Sequence, residues 1–293
     1  MNDRYRNSER YEYRVEEDAL LLEFLLAHIT SKSRNTVKNL MKSGFCAADG
    51  EIVTQFDHML KRGQVVTVAA DNAVRAALPF RIIYEDAHVI VIDKPAGLLC
   101  VANEKEKERT AYRMLSDYMK AKEEHGKVFI VHRLDRDTSG IVMFAKDAET
   151  KEAYQEKWDE LAKKRIYTAV VEGEMPESEG TMKSYLRETE GHMVYVAESK
   201  YRSKEAITHY RVLKTNGKYS LLEISIETGR KNQIRVQLAD AGHPVVGDKK
   251  YGSEVNPLRR LALHANELYV KSPYGGKEKF VSGVPGGFDN LCK

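Results

Sequence analysis

At 293 residues, 42% of them hydrophobic and 31% charged, the chain has the balance of a soluble globular protein with one sizeable domain and a small appendage. Its formal net charge of +3 is too small to indicate a nucleic-acid partner by itself. No run approaches the ~20 apolar residues of a membrane span, the first residues lack a secretory signal's apolar core, and three scattered cysteines (Cys46, Cys100, Cys292) support neither disulfides nor a zinc site, so a cytoplasmic protein is expected.

Residues 1–14 are polar, rich in tyrosine and arginine and without periodicity, and are expected to be flexible. Leu20–Ile29 is apolar around most of a helical wheel and reads as a buried helix. Ser33 is a candidate cap for a second helix from Arg34, with Val37, Leu40 and Met41 inward and Gly44 at its end. Asp49-Gly50 reads as a tight turn between short strands at Phe45–Ala47 and Glu51–Thr54, and Val65–Ala69 as a third strand. Two helices and small strands over residues 15–70 resemble an S4-type RNA-binding domain. That resemblance implies that Lys32, Arg34, Lys38 and Lys42 meet RNA phosphates. It departs from the pattern in lacking the opening Arg-Leu-Asp and in having Ala48-Asp49-Gly50 for Val-Asn-Gly. A packing module with ordinary surface lysines fits the same residues.

Asp71–Pro79 reads as a linker, and a second domain, 80–293, opens at Phe80. Ile82–Asp86 and Val89–Asp93 look like paired strands, followed by a turn at Lys94-Pro95-Ala96-Gly97, where Lys94 suits either a cleft buttress or a surface position. Thr110–Glu124 and Ala148–Lys164 are amphipathic helices, the second carrying Trp158 as a core residue. Between them, Val131-His132-Arg133-Leu134-Asp135-Arg136-Asp137-Thr138-Ser139-Gly140 joins a charged turn to the apolar strand Ile141–Ala145. Glycine and small hydroxyl residues permit a sharp bend there, and the strand anchors it. Such a turn can hold a carboxylate at a surface beside guanidinium groups, which keep it ionised and lower its pKa. A rigid, ionised Asp135 is a candidate nucleophile. A solvated, salt-bridged turn is the plainer alternative.

Arg165–Val171 alternates as a strand and carries Tyr167, by composition alone a core or interface aromatic. Tyr219–Ile226 is another strand, leaving through Glu227-Thr228-Gly229-Arg230 into a helix that begins near Lys231 and contains Arg235. An arginine at a helix start suits an anion. Lys200 to Arg260 holds 13 Lys and Arg against 6 Asp and Glu, while residues 1–70 carry ten of each sign. A basic stripe of that kind is the footprint of phosphate contacts, with Lys231 and Arg235 among them.

The string His-Arg-Leu-Asp-x-x-Thr-Ser-Gly, four apolar residues and Ala-Lys resembles the signature of the RluA class of RNA pseudouridine synthases, with every fixed position present in order. Tyr84-Glu85-Asp86, Lys94-Pro95-Ala96-Gly97, Thr228-Gly229-Arg230, Gln233-Ile234-Arg235, Gly247-Asp248 and Leu261–Ala265 resemble that family's further blocks. The match runs from Tyr84 to Ala265. Asn232 departs from it, standing at a usual histidine, and predicts altered tuning rather than loss of activity.

The resemblance implies an α+β domain with a bent, mostly antiparallel mixed sheet and a central cleft. It implies isomerisation of uridine to pseudouridine in RNA without cofactor or metal. Asp135 would be the nucleophile, Arg230 its partner and Tyr167 the residue against the base. Arg133 would fill the stack left by a flipped-out uridine, or else contact a phosphate. Ribosomal RNA is favoured over tRNA as substrate, and a monomer away from membranes is expected. Two alternatives remain: an RNA-binding protein on the same scaffold, and an N-glycosidic hydrolase. The latter needs a second carboxylate about 5–10 Å away, for which Asp137 is the nearby candidate.

Overall fold

In a computed structural model, residues 10–69, 78–123 and 125–293 are described. The chain divides into two compact units, Met1–Pro79 with Val101–Phe129, and Phe80–Cys100 with Ile130–Lys293.

In the first unit, β1 (Arg10–Arg14), β6 (Val65–Ala69), β3 (Cys46–Ala48) and β4 (Glu51–Ile52) form a sheet in that order, and β2 (Ala19–Leu20) pairs with β5 (Met59–Leu60). Of the N-terminal segment expected to be flexible, residues 1–9 lie outside the described residues, whereas 10–14 pair with all of β6. Helix α1 (Leu21–His28) buries Leu21, Leu22, Phe24 and Leu25. Helix α2 (Arg34–Lys42) buries Val37, Leu40 and Met41, as its spacing requires, and Ser33 Oγ accepts from Thr36 N–H at 3.3 Å. The linker expected at 71–79 falls on residues outside the description except for its last two.

Helix α3 (Ala111–Lys122), capped by Thr110, lies against α2. Its segment therefore clusters with the N-terminal unit, although sequence order places it after Phe80. The reason is the apolar face of Ala111, Leu115, Tyr118 and Met119, which is buried in this unit.

The second unit is built on a mixed, bent, mostly antiparallel sheet. Its strands are β7 (Arg81–Glu85), β8 (Val89–Lys94), β9 (Phe129–Ile130), β10 (Ser139–Ala145), β11 (Ala162–Glu172), β12 (Glu179–Glu188), β13 (Val194–Ala197), β14 (Lys204–Thr215), β15 (Tyr219–Ile226), β16 (Leu263–Lys271) and β17 (Lys277–Val281). The order is β13-β12-β14-β15-β11-β16-β10-β8-β7, with β17 beside β16. Only β10 and β16 run parallel among these pairs of the described residues.

One row crosses the middle of this sheet: Lys94, Gly140, Ala265, Tyr167, Ile224. Gly140 sits at φ +114°, and a Cβ there would lie 2.1 Å from Ala265 O, so only glycine lets β10 approach β16. The register of β11 on β16 shifts between Ile166 and Tyr167, where the pairing skips Asn266 of β16.

Helices α4 (Ala148–Glu156), α5 (Trp158–Leu161), α6 (Gln233–Asp240) and α7 (Gly286–Leu291) complete the unit. The single helix expected over 148–164 is broken at Lys157, and Ala162–Lys164 belong to β11, because pairing with Tyr269 and Val270 of β16 outweighs their helical pattern. Among the described residues, no helix is long and apolar enough to cross a membrane.

Candidate active site

A cleft of about 390 Å³ opens in the second unit, with Asp135, Tyr167, Arg230 and Arg235 among its lining residues. The turn that carries Asp135 is fixed from beneath. Lys94 is fully buried and donates to the carbonyls of Pro95 (3.0 Å), Leu98 (2.8 Å) and Arg136 (2.9 Å). Lys94 is thus the buttress of the turn, not a surface lysine. Burial lowers its pKa to about 8. Cys100 Sγ accepts from Leu134 N–H at 3.3 Å, pinning the residue before the nucleophile candidate. His132 accepts from Met143 N–H through Nε2 at 3.1 Å, which leaves its proton on Nδ1.

The partner of Asp135 is Arg235. Nη1 of Arg235 lies 3.7 Å from Asp135 Oδ2, while Nε and Nη2 grip Asp248 at 2.6 and 2.8 Å. The same Nη1 donates to Asn232 Oδ1 at 3.0 Å, and Asn232 Nδ2 donates to the Tyr251 hydroxyl at 3.0 Å. The Tyr251 ring lies under the guanidinium, 5.1 Å from its carbon.

Arg230, expected as the partner, lines the cleft but donates through Nε to Glu205 O at 3.0 Å. The cause is local backbone: Asn232 is left-handed at φ 54°, and α6 starts at Gln233 instead of Lys231. Arg230 therefore precedes the helix, while Arg235 projects from its first turn.

Polar side chains hold α6 against the sheet. Gln233 accepts from Arg230 N–H and Thr228 Oγ1 and donates to Ile207 O and Thr208 Oγ1. Gln237 Nε2 reaches Met182 O, Ser184 Oγ and Ala206 O.

Burial raises the Asp135 carboxyl above its ordinary pKa, opposed by Arg235, Arg133, Lys94 and Lys250. The lowered value expected from neighbouring arginines is overturned, because desolvation is the larger effect at this site. Tyr167, also by burial, is pushed up to about 12. At neutral pH it offers a ring face and an O–H donor, not a phenolate.

Arg133 is exposed at the cleft and its side chain has no partner among the described residues. Lys231 is committed to Glu188 at 2.5 Å. Arg34 pairs with Glu23 at 2.9 Å, and Lys32, Lys38 and Lys42 belong to the first unit, as it does. Asp137 is gripped by Arg136 at 3.0 Å and lines a separate cavity.

Two lining residues were not expected at the cleft. Trp158 is half-buried, stacked on His132 at 4.8 Å, and faces the cleft rather than the core. Arg165 also lines it, donating to Glu227 O while its buried Nε has no partner among the described residues. Arg165 was read only as the start of a strand, and Asp248 drew notice only through its motif.

Residues 88–240 match the family model for RNA pseudouridylate synthase. An uncharacterized RNA pseudouridine synthase of Bacillus subtilis is 37% identical, over 72% of this chain and 71% of that one. Ribosomal large subunit pseudouridine synthase D of Borreliella burgdorferi is 30% identical, over 94% and 89%. The solved structure of human RNA pseudouridylate synthase domain containing 4 shares the fold at TM-score 0.59 and 22% identity, covering 71% of this chain and 90% of that one.

Proposed function

The chain belongs to the RNA pseudouridylate synthase family and is an RNA pseudouridine synthase; from that premise we propose that it works through Asp135 on a flipped-out uridine in large-subunit ribosomal RNA. The observation that carries the site assignment is the Asp135–Arg235 pair, 3.7 Å apart in the cleft and beside Tyr167.

A uridine stacked in a helix cannot bring C1′ to a carboxylate in a cleft, so the nucleotide must leave the stack, at about a few kcal/mol. Arg133 is free to occupy the space it vacates. Its alternative role is a phosphate contact.

In the cleft, Asp135 is placed to meet the positive charge that develops at C1′ as the N1–C1′ bond breaks. Arg235 keeps that carboxylate oriented and favours its charged form against burial. Uracil then turns while held against Tyr167, whose ring can stack on the base. C5 bonds to C1′, the C5 proton is lost and N1 gains one, so the product is an isomer and no electron leaves or enters. Arg230 and Arg165 line the approach and suit phosphate or base oxygens.

The RluA-class assignment rests on the unbroken motif from His132 to Lys146. The name of the Borreliella burgdorferi relative supports ribosomal RNA as substrate, which would place the enzyme in the cytoplasm. Residues 15–70 would serve as an S4-like RNA-binding module, and the helix–helix–strand order with the Asp49-Gly50 turn supports that reading.

The test is pseudouridine mapping of ribosomal RNA from a strain lacking the gene, complemented with wild type or Asp135→Asn. Sites that vanish and return only with wild type are expected. Restoration by Asp135→Asn would overturn the mechanism.

A further inference from the structure

The cleft holds two kinds of side chain beyond those assigned to the uridine. Arg165 and Arg230 supply cations, tied to the carbonyls of Glu227 and Glu205. Trp158 and Asp159, from the single turn of α5, supply an indole and a carboxylate.

We propose that Trp158 and Asp159 form a subsite that reads the base next to the target uridine, Trp158 by stacking on it and Asp159 by accepting hydrogen bonds from guanine. The proposal rests on the reading of the cleft as the place where a uridine is turned, and adds sequence selection to it.

Position carries the inference. The indole lies on the His132 ring, 4.8 Å between centroids and 23° between planes. His132 accepts from Met143 N–H of β10 at 3.1 Å and stands in the same segment as Asp135. The indole is therefore registered to the turn that carries Asp135. Trp158 is only half-buried, so part of its ring stays open in the cleft. His132 is held neutral, and the two rings form an uncharged surface among guanidinium groups. Unstacked bases settle on such rings while cations take their phosphates. Flipping a uridine removes one stacking neighbour from each adjacent base. Arg133 can fill the gap inside the helix, whereas Trp158 offers a flanking base a new neighbour.

Asp159 decides which base. Among the described residues lining the cleft it is the one carboxylate besides Asp135. A carboxylate repels phosphate and only accepts hydrogen bonds. Successive residues of a helical turn point about 100° apart, which places Asp159 at the rim of a base lying on Trp158. Guanine presents two adjacent donors at its rim, N1–H and N2–H, which a carboxylate accepts as a pair. Uracil presents one N–H between two carbonyls.

Trp158 is the chain's single tryptophan, so its emission reports on this subsite without a label. The full-length protein is titrated with RNA hairpins whose loop holds one uridine, flanked on each side in turn by guanine, uracil or an abasic nucleotide. Guanine on one flank should quench the indole and bind about ten-fold more tightly than uracil, and the abasic nucleotide there should quench least. Asp159→Asn should bring guanine and uracil within about three-fold of each other while the quench remains. Glu160→Gln removes the same charge from an exposed neighbour outside the cleft and should keep the wild-type preference. On ribosomal RNA fragments, Trp158→Leu should raise KM about ten-fold with little change in kcat, and Trp158→Phe should recover most of that loss. The wild-type emission carries the test even where Trp158→Leu does not fold.

Emission that no flanking base alters would overturn the proposal, as would an Asp159→Asn variant that prefers guanine as strongly as wild type. Uridine conversion is read separately. Conversion that ignores the flanking base, with unaltered emission, rejects the subsite alone. Flank-dependent quenching in a protein that converts no uridine rejects the reading of the cleft alone.

Discussion

Asp248 holds the guanidinium of Arg235 through Nε and Nη2, at 2.6 and 2.8 Å, leaving Nη1 for Asn232 at 3.0 Å and Asp135 at 3.7 Å. Asp248 is 2% exposed and Arg235 is buried with it. A planar fork fixed on one edge presents its other edge in one direction, which is how a loop aspartate acquires a defined neighbour.

Arg235→Lys keeps the charge and loses the fork. Because small misplacement of a reacting group costs about 10²-fold, kcat should fall by that order while KM changes little. Arg230→Lys, at a residue bonded to a backbone carbonyl, should mainly raise KM. Single-turnover kinetics on ribosomal RNA separates the two. Equal kcat losses would show that Arg235 has no special relation to Asp135.

Asn232 is the one departure from the family motif in this block, and it touches both Arg235 and Tyr251. A neutral histidine can also donate with one ring nitrogen and accept with the other, and it tolerates left-handed backbone. Asn232→His should therefore stay within about five-fold of wild-type kcat, a loss near 1 kcal/mol. Asn232→Ala removes both bonds and should lose about ten-fold or more. A histidine variant as slow as the alanine one would mean that this chain has rebuilt its clamp around the amide.

Gly140 stands where the turn of Asp135 becomes a strand and where β10 meets β16. Gly140→Ala combines φ +114° with a Cβ 2.1 Å from Ala265 O. The cost should be about 3 kcal/mol or more, lowering the melting temperature by roughly 10 °C in calorimetry. A shift of only a degree or two would mean that the β10–β16 junction can yield.

The turn that carries Asp135 was legible because its chemistry is local: charge, small hydroxyls and glycine precede an all-apolar strand. The Ser33 cap and β6 were legible for the same reason. The identity of the arginine at Asp135 was not, because it depends on where α6 begins, and the left-handed Asn232 moves that point two residues along. The rise in the Asp135 pKa was equally hidden. Neighbouring guanidinium groups can be read from sequence, but the desolvation that outweighs them exists only once the cleft closes around the carboxyl. Trp158 read as core from its helix pattern, and it is the break at Lys157 that turns it to the cleft. Likewise α3 joins the first unit through a buried apolar face whose partner no local pattern names.

Two histidines, His264 buried and His132 half-buried, give stability a measurable pH dependence. Burial holds His132 down to about 3 and His264 down to about 4. Unfolding returns both to about 6.5. Below that value the unfolded chain binds protons that the folded chain refuses, so stability is complete above about pH 6.5 and falls as pH drops toward 4. Each histidine contributes a slope of up to about 1.4 kcal/mol per pH unit. Urea unfolding at fixed salt between pH 7.5 and 5, above the range where most carboxylates titrate, isolates the effect. His264→Gln, which keeps a polar group for Ser139 Oγ, 2.8 Å from the imidazole, should remove about half of the slope. An unchanged slope in that variant would show that His264 is protonated in the folded protein, and its pairing with Ser139 would then have to be reassigned as imidazolium donating to hydroxyl.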